Sequence, residues 1–499
     1  MRRQYIFLIA SLLCGVNAKA QDSLTTHLTY DLSAEVFAGT GDYTAYQLAT
    51  NRHHAVGTRS NTAYLRGAVN IDHALSKNLV LSGSVDAIAS VHADHKVYLQ
   101  QCYANLSYKS FFLEAGSREH SQVVRDNLLS IGSFIKGTNA KPIPQIQIGT
   151  NGFWNLPFTK GWVQANFAGG YGKPLDNDYK EEAFNNAPQA NYRYSIGQYY
   201  HQKHLYFRTN PQKPFFVLVG IEHVAFFGGT RYSLSNGVLV AIEKPAKIKD
   251  FLNVILPLGD KNYFENGTPE DWTYGCHSGV MTYQFGVNID KHHQIQAYLD
   301  NIFEDGSGVR KGNGGDGLWG IQYSNTSPDR QYIRSAVVEY FQSTDQGGPL
   351  HWDPNDYPEP IRSQIPDFVV GDDEYYVNGF NGSYSHYGMS PGIALITSPI
   401  YNSNGSLDYL DNRVKAWHVG INGEITDHLS YLVKGSYREG WGTYRRPLAV
   451  KHHSFDAMLQ GVYKINNWEF AGALAFDKGN IYGDCTTFNL KIGYHGKIF

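Results

Sequence analysis

The chain has 499 residues and a formal charge of −3, from 42 Lys and Arg against 45 Asp and Glu. That balance gives no electrostatic footprint for nucleic acid. Mean hydropathy is −0.38, and no apolar run after the N-terminus approaches the length of a membrane helix, which excludes helical spanning.

The first element is a leader. Arg2 and Arg3 precede an apolar stretch from Tyr5 to Val16, and Ala18-Lys19-Ala20 is an A-x-A cleavage site. This pattern predicts a signal peptide over 1–20, cut after Ala20, with Gln21 as the first mature residue. Leu13 before Cys14 argues against a lipoprotein site. Cys102, Cys276 and Cys485 remain after processing, and they are too few and too scattered for a disulfide framework or a zinc site.

From there the dominant period is two. In 62–72, Ala63, Leu65, Gly67, Val69 and Ile71 alternate with Thr62, Arg66, Asn70 and Asp72. In 468–477, Trp468, Phe470, Leu474 and Phe476 alternate with Glu469, Ala471, Ala473, Ala475 and Asp477. Each is a strand with one apolar face and one polar or small face. Strands are predicted near 34–40, 61–72, 78–88, 97–108, 111–118, 143–151, 162–171, 199–209 and 215–227. Others fall near 277–290, 293–303, 317–325, 331–343, 392–400, 413–424, 429–440, 453–464, 468–477 and 485–498. Segments of about ten residues suit a tilted membrane strand.

Two segments break the alternation. Val124, Leu128 and Ile131 sit at i, i+4 and i+7, and Ile248, Phe251, Leu252 and Ile255 at i, i+3, i+4 and i+7. Helices are therefore predicted near 120–132 and 246–256, packed in or under the barrel or turned within loops. Some junctions are tight, as at 73–77 and 425–428, whereas 174–195, 345–376 and 402–411 are long and polar. Aromatic residues make up 14% of the chain, including 36 Tyr, as interfacial girdles require. The fold expected is all-β, a single transmembrane antiparallel barrel over 21–499, in the outer membrane of the cell and surrounded by its lipid. The final Phe499 is out of phase with Phe488, Leu490, Ile492, Tyr494 and Ile498.

Catalytic signatures are missing: there is no P-loop, no H-E-x-x-H and no G-x-S-x-G. No enzyme activity, no cofactor, no metal and no nucleic-acid partner is expected. The pairs His53-His54, His292-His293 and His452-His453 point to opposite strand faces and make poor metal sites. The acidic run Asp372-Asp373-Glu374 reads as a solvated loop face before a calcium site. The long loops suit sugar better. Trp352, Tyr357, Asp372, Asp373, Tyr375 and Tyr376 share one loop, and Trp441, Tyr444, Arg445 and Arg446 follow a strand. Flat rings cover the apolar face of a pyranose, and carboxylate or guanidinium groups bond its hydroxyls. A diffusion porin is the competing expectation.

Several blocks resemble the Wzi-type capsule assembly family in its Bacteroidetes form. They are Gly116-Ser117-Arg118-Glu119, then Leu128 to Ser133 running into Gly137 to Ile146. Further on come Lys249-Asp250-Phe251-Leu252, Asp316-Gly317-Leu318-Trp319-Gly320, Gly371 to Asn378 with its Tyr375-Tyr376, and Gly440 to Tyr444. The resemblance runs from about residue 110 to the C-terminus and is weaker before that. It implies a barrel of about 18 strands with short helices plugging the periplasmic side. It also implies outer loops that act as a lectin, helping to assemble or retain capsular or other surface polysaccharide. A barrel of this kind would depend on the barrel assembly machinery during biogenesis.

Overall fold

The computed structural model describes residues 25–93, 95–244, 246–256, 275–304, 306–346, 374–378 and 382–499. The expected leader lies outside them.

Eighteen strands form a closed antiparallel barrel. The first six are β1 (Thr26–Thr40), β2 (Ala63–Ser76), β3 (Leu79–Val91), β4 (Val97–Tyr108), β5 (Phe111–Ser117) and β6 (Gln145–Thr150). The next six are β7 (Val163–Gly172), β8 (Tyr199–Thr209), β9 (Phe215–Phe227), β10 (Cys276–Asn288), β11 (His293–Phe303) and β12 (Gly317–Asn325). The last six are β13 (Ser335–Gln342), β14 (Val414–Glu424), β15 (Leu429–Gly442), β16 (Pro447–Ile465), β17 (Trp468–Gly479) and β18 (Cys485–Lys497). Each strand pairs with the next, and β1 pairs with β18 from Thr29↔Lys497 to Thr40↔Thr486. Closure removes every free sheet edge, which a backbone in lipid requires. The terminal Phe499 stays in this ladder through its carbonyl, which accepts Leu28 N–H at 3.0 Å.

Side-chain alternation is what makes the wall. On β17, Trp468, Phe470, Leu474 and Phe476 are exposed outward, while Ala471, Ala473 and Ala475 are buried inward. The outer face is aliphatic at mid-height, with Val338, Val419, Leu459 and Leu490 exposed. Aromatic belts flank it. Trp319, Trp417, Tyr437 and Phe476 lie toward one rim, and Trp468, Phe470, Tyr108 and Phe111 toward the other. This is the surface of a membrane-spanning barrel.

The two rims differ. Short turns such as 77–78, 109–110 and 466–467, together with both ends of the described chain, lie at one rim. Long connections 41–62, 118–144 and 173–198, and the described parts of 228–275 and 343–413, lie at the other. Three of the long ones dip into the lumen. The first carries α1 (Tyr46–Ala49), whose four residues are all buried. Loop 118–144 and the described parts of 343–413 supply Leu129, Ile131, Phe134, Ile135, Tyr375, Tyr376, Tyr384 and Met389 to one apolar core. That core packs on inward-facing Tyr200, Val224, Tyr298, Val337 and Phe341 of the wall.

Several sequence expectations are corrected here. Segment 120–132 is not a helix. Its polar backbone groups bond the barrel instead: Ile131 N–H donates to Glu339 at 2.8 Å, and Leu129 carbonyl accepts from His418 Nε2 at 2.7 Å. Leu128 and Leu129 N–H both go to the Asp126 side chain. The helix expected near 246–256 is present as Ile248–Asn253, but it belongs to the long-loop rim. No described helix plugs the short-turn side; the lumen is closed by loops entering from the opposite end. The strand expected at 392–400 is also absent. Its apolar run, Ile393-Ala394-Leu395-Ile396, is fully buried plug, where continuous hydrophobicity serves packing on all sides.

The crossing of the two main plug loops depends on glycine. Gly137 N–H donates to Pro391 carbonyl at 2.9 Å. A Cβ at Gly392 would stand 1.8 Å from Phe134 O, and one at Gly137 would stand 2.5 Å from Gly392 O. Only hydrogen fits between these backbones.

Candidate functional site

The plug is anchored by buried carboxylates projecting from the wall. Glu339 on β13 accepts Ser130 Oγ at 2.6 Å, Ile131 N–H at 2.8 Å and Tyr298 OH at 2.5 Å. Glu222 on β9 accepts Ser133 Oγ at 2.5 Å. Asp300 on β11 pairs with Arg125 at 2.6 Å, and the guanidinium lies 3.9 Å from the Tyr298 ring centroid. Arg66 on β2 bridges Asp86 and Glu119 at 2.5 and 2.9 Å. Buried charges persist only when paired and hydrogen-bonded, so these contacts fix the loops in one geometry.

On the short-turn side of this plug a cavity of about 220 Å³ remains, lined by Arg125, Arg208, Gln284, Gln296, Gln322 and Phe216 among others. It ends at the tip of loop 118–144.

The mouth at the long-loop rim is where the loops present chemistry outward. A shallow groove there is lined by His54, His95, Tyr98, Lys141 and Tyr387. Lys141 Nζ lies 4.8 Å from the Tyr98 ring centroid and 5.3 Å from that of Tyr387. His95 stands against both rings, at 6.2 and 5.7 Å. The rings are held in place: Tyr98 OH donates to Ala55 O at 2.9 Å, and Tyr387 OH to Leu175 O at 2.8 Å. Behind them His386 Nδ1 meets Lys141 O at 2.8 Å and its Nε2 accepts Leu175 N–H at 3.3 Å. Partial burial brings the Lys141 amine down to about 8, so it is mostly charged at neutral pH. Burial also lowers His54 to about 3, keeping that ring neutral. The groove thus offers two aromatic rings and one cation on a rigid base. Its volume, about 20 Å³, admits a single hydroxyl or carboxylate group of a sugar resting against its edge.

The residues singled out from the sequence are scattered. Trp352, Tyr357, Asp372 and Asp373 lie outside the described residues. Tyr375 and Tyr376 are 0% and 1% exposed. Tyr375 OH accepts Asn313 Nδ2 at 3.0 Å, and Tyr376 stacks on Phe134 at 4.6 Å with its OH bonded to Phe134 O. They are core residues of the plug, and their burial keeps them from any ligand at the surface. Trp441 faces the outer wall, with Lys415 and Lys451 amines 5.8 and 5.4 Å from its ring, as interfacial Trp does. Tyr444 and Arg445 are exposed on the turn after β15, and Arg445 reaches Glu374 at 3.5 Å. Asp411 steadies this turn by accepting Gly442 N–H at 2.8 Å; burial raises its carboxyl to about 6. The groove residues Tyr98, Lys141 and Tyr387 were missed. They come from three distant segments, and nothing in their spacing marks them.

No family model and no curated protein sequence matches the chain. Solved structures do match in fold. One is Wzi of Escherichia coli, an outer-membrane protein involved in group 1 capsule assembly and a carbohydrate-binding β-barrel. Its TM-score is 0.55 at 10% identity, over 93% of this chain and 83% of that one. OpdL and OprD of Pseudomonas aeruginosa also match. OpdL has a TM-score of 0.47 at 8% identity, over 96% of this chain and 99% of its own. OprD has a TM-score of 0.45 at 9% identity, over 97% and 98%. At these identities the likeness concerns architecture.

Proposed function

We propose that this chain is a non-catalytic outer-membrane protein that holds surface polysaccharide at its long-loop rim. The barrel would sit with its short turns in the periplasm and its long loops outside. The carrying observation is the apolar core filling the lumen. A diffusion channel needs an open, wetted path, whereas Phe134, Tyr375, Tyr376, Met389 and Ile393 are packed against one another in the middle of this barrel. The same packing fixes the loops that carry Lys141 and Tyr387 against Tyr98 at the start of β4. A repeating polymer would touch this platform and exposed groups such as Tyr444 and Arg445 at many points, each weak. Effective concentration along the polymer would supply the retention. The fold likeness to a carbohydrate-binding capsule-assembly barrel supports the same reading.

A second reading, a gated solute channel, is favoured by the polar cavity beneath the plug, with Arg208 and several Gln side chains on its wall. The test is surface glycan in a deletion strain, measured as cell-bound against shed. Glycan that is made but falls into the medium supports retention. Unchanged cell-bound glycan, with reduced uptake of a small solute and a steady single-channel conductance, sinks it in favour of the channel.

A further inference from the structure

The helix α3 (Ile248–Asn253, after α1 and the α2 helix Asn177–Asn186) does not face the lumen. It folds back from the rim onto the outside of the barrel. The register shows this. Tyr199 pairs with Phe227, and both share a face with the lipid-exposed pairs Leu205↔Ile221 and Phe207↔Val219. Tyr171 pairs with His201 on that same outward face. Yet Phe227 is fully buried, because Phe251 lies across it at 5.0 Å and touches Tyr171 and Tyr199 at 5.3 and 5.1 Å. Val254 is buried with Ala225 and Phe227, and Tyr171 OH donates to Phe251 O.

The other side of the segment is bare. Ile248, Leu252 and Leu256 are 84%, 63% and 61% exposed. Their spacing of four makes one stripe on the side away from the wall. Lys247 and Lys249 are exposed beside it, and Asp250 is turned inward, accepting Lys247 N–H at 2.7 Å. An apolar stripe edged by lysines would be costly in water but suits the boundary between acyl chains and anionic headgroups.

We propose that segment 246–256 is a lateral lipid anchor, which lies against the barrel and sinks Ile248, Leu252 and Leu256 into the membrane. The occupant is lipid because the segment lies on the same outward face that carries Leu205, Phe207, Val219 and Ile221 farther from the rim, past a polar row of His201, Lys203 and His223. Lys247 and Lys249 would meet headgroup phosphates at the rim. The anchor would fix the depth of the barrel on one side and hold segment 246–256 close to the membrane plane.

The test uses the full chain in nanodiscs of phosphatidylethanolamine and phosphatidylglycerol. A benzophenone amino acid replaces Leu252, or Leu459 on the wall as the positive control, or Asn404 on the rim as the negative one. After illumination, lipid adducts at 252 matching the yield at 459 and exceeding that at 404 support the anchor. Lipid adducts at 459 but none at 252 overturn it, as do adducts at 252 joining two copies of the chain. In parallel, Ile248→Lys, Leu252→Lys and Leu256→Lys combined should leave barrel-strand exchange unchanged. They should speed amide exchange over 247–256 about tenfold in the nanodisc. Equal exchange overturns the proposal.

Discussion

Glu339 on the inner wall accepts the backbone N–H of Ile131 at 2.8 Å, at the middle of the plug. The same carboxylate takes two hydroxyls, from Ser130 and Tyr298. One side chain therefore carries three of the hydrogen bonds that seat loop 118–144 and its wall neighbour. Removing it leaves a buried N–H and two hydroxyls without their acceptor, which costs about 3 kcal/mol. Glu339→Ala should leave the barrel ladder intact and unseat the plug. Single-channel recording should then show conductance steps that the native chain lacks; a silent variant would mean that other contacts suffice.

The glycine crossing gives an independent handle. Gly392→Val places carbon where Phe134 O already sits, and overpacking of this kind costs about 3 kcal/mol. Limited proteolysis should cut the variant within 118–144 and 382–413 while the strands remain protected. Unchanged protection of both loops would show that the crossing tolerates separation.

Lys141 predicts a pH dependence of two opposite signs. If the rim holds an acidic glycan through the charged amine, as proposed, binding should decline as pH rises through about 8. Stability should move the other way. The folded value lies below the ordinary 10.5, so the charged form is penalised in the fold, and the penalty lifts between about 8 and 10.5. Lys141→Gln should weaken retention of an acidic polymer at pH 7 and flatten its pH profile. Titration of polymer binding to the purified chain measures both.

Asp411 offers a check on the rim. Its carboxyl is raised from 3.8 to about 6, so the folded chain takes up this proton more readily than the unfolded one. Stability should therefore rise as pH falls through about 6 toward 4, by at most about 3 kcal/mol. Asp411→Asn, which still offers an oxygen to Gly442 N–H, should remove that slope. Denaturation midpoints at pH 4 and pH 7 decide it.

Arg445→Ala should be silent for folding. Its guanidinium is half in solvent and meets Glu374 only at 3.5 Å, so the pair is worth under about 1 kcal/mol. Loss of glycan retention in this variant, with an unchanged melting point, would mark Arg445 as a contact.

The wall was legible in the sequence because lipid and lumen impose opposite demands on neighbouring residues. Trp468, Phe470 and Leu474 against Ala471, Ala473 and Ala475 can be read without any structure. The plug was not legible, since its residues answer to the wall and to no local period. Val124, Leu128 and Ile131 have helical spacing, yet His418 and Glu339, hundreds of positions away, take the hydrogen bonds a helix would have used. Tyr375 and Tyr376 have the composition of a sugar platform and the position of a core. Conversely, Lys141, Tyr98 and Tyr387 form a groove only because two loops meet the end of β4.

The contact between Tyr376 and Phe134 joins positions 242 residues apart, and the seam between β1 and β18 joins the two ends of the described chain. The seam cannot form until nearly all of the polypeptide is available, and the plug contact needs the chain as far as Tyr376. Long-range pairing of this kind is slow, and the aromatic side chains destined for the lumen stay uncovered in the meantime. A chaperone that shields Phe134 and Tyr376 before insertion would therefore be guarding the interior of the finished molecule as much as its lipid-facing surface.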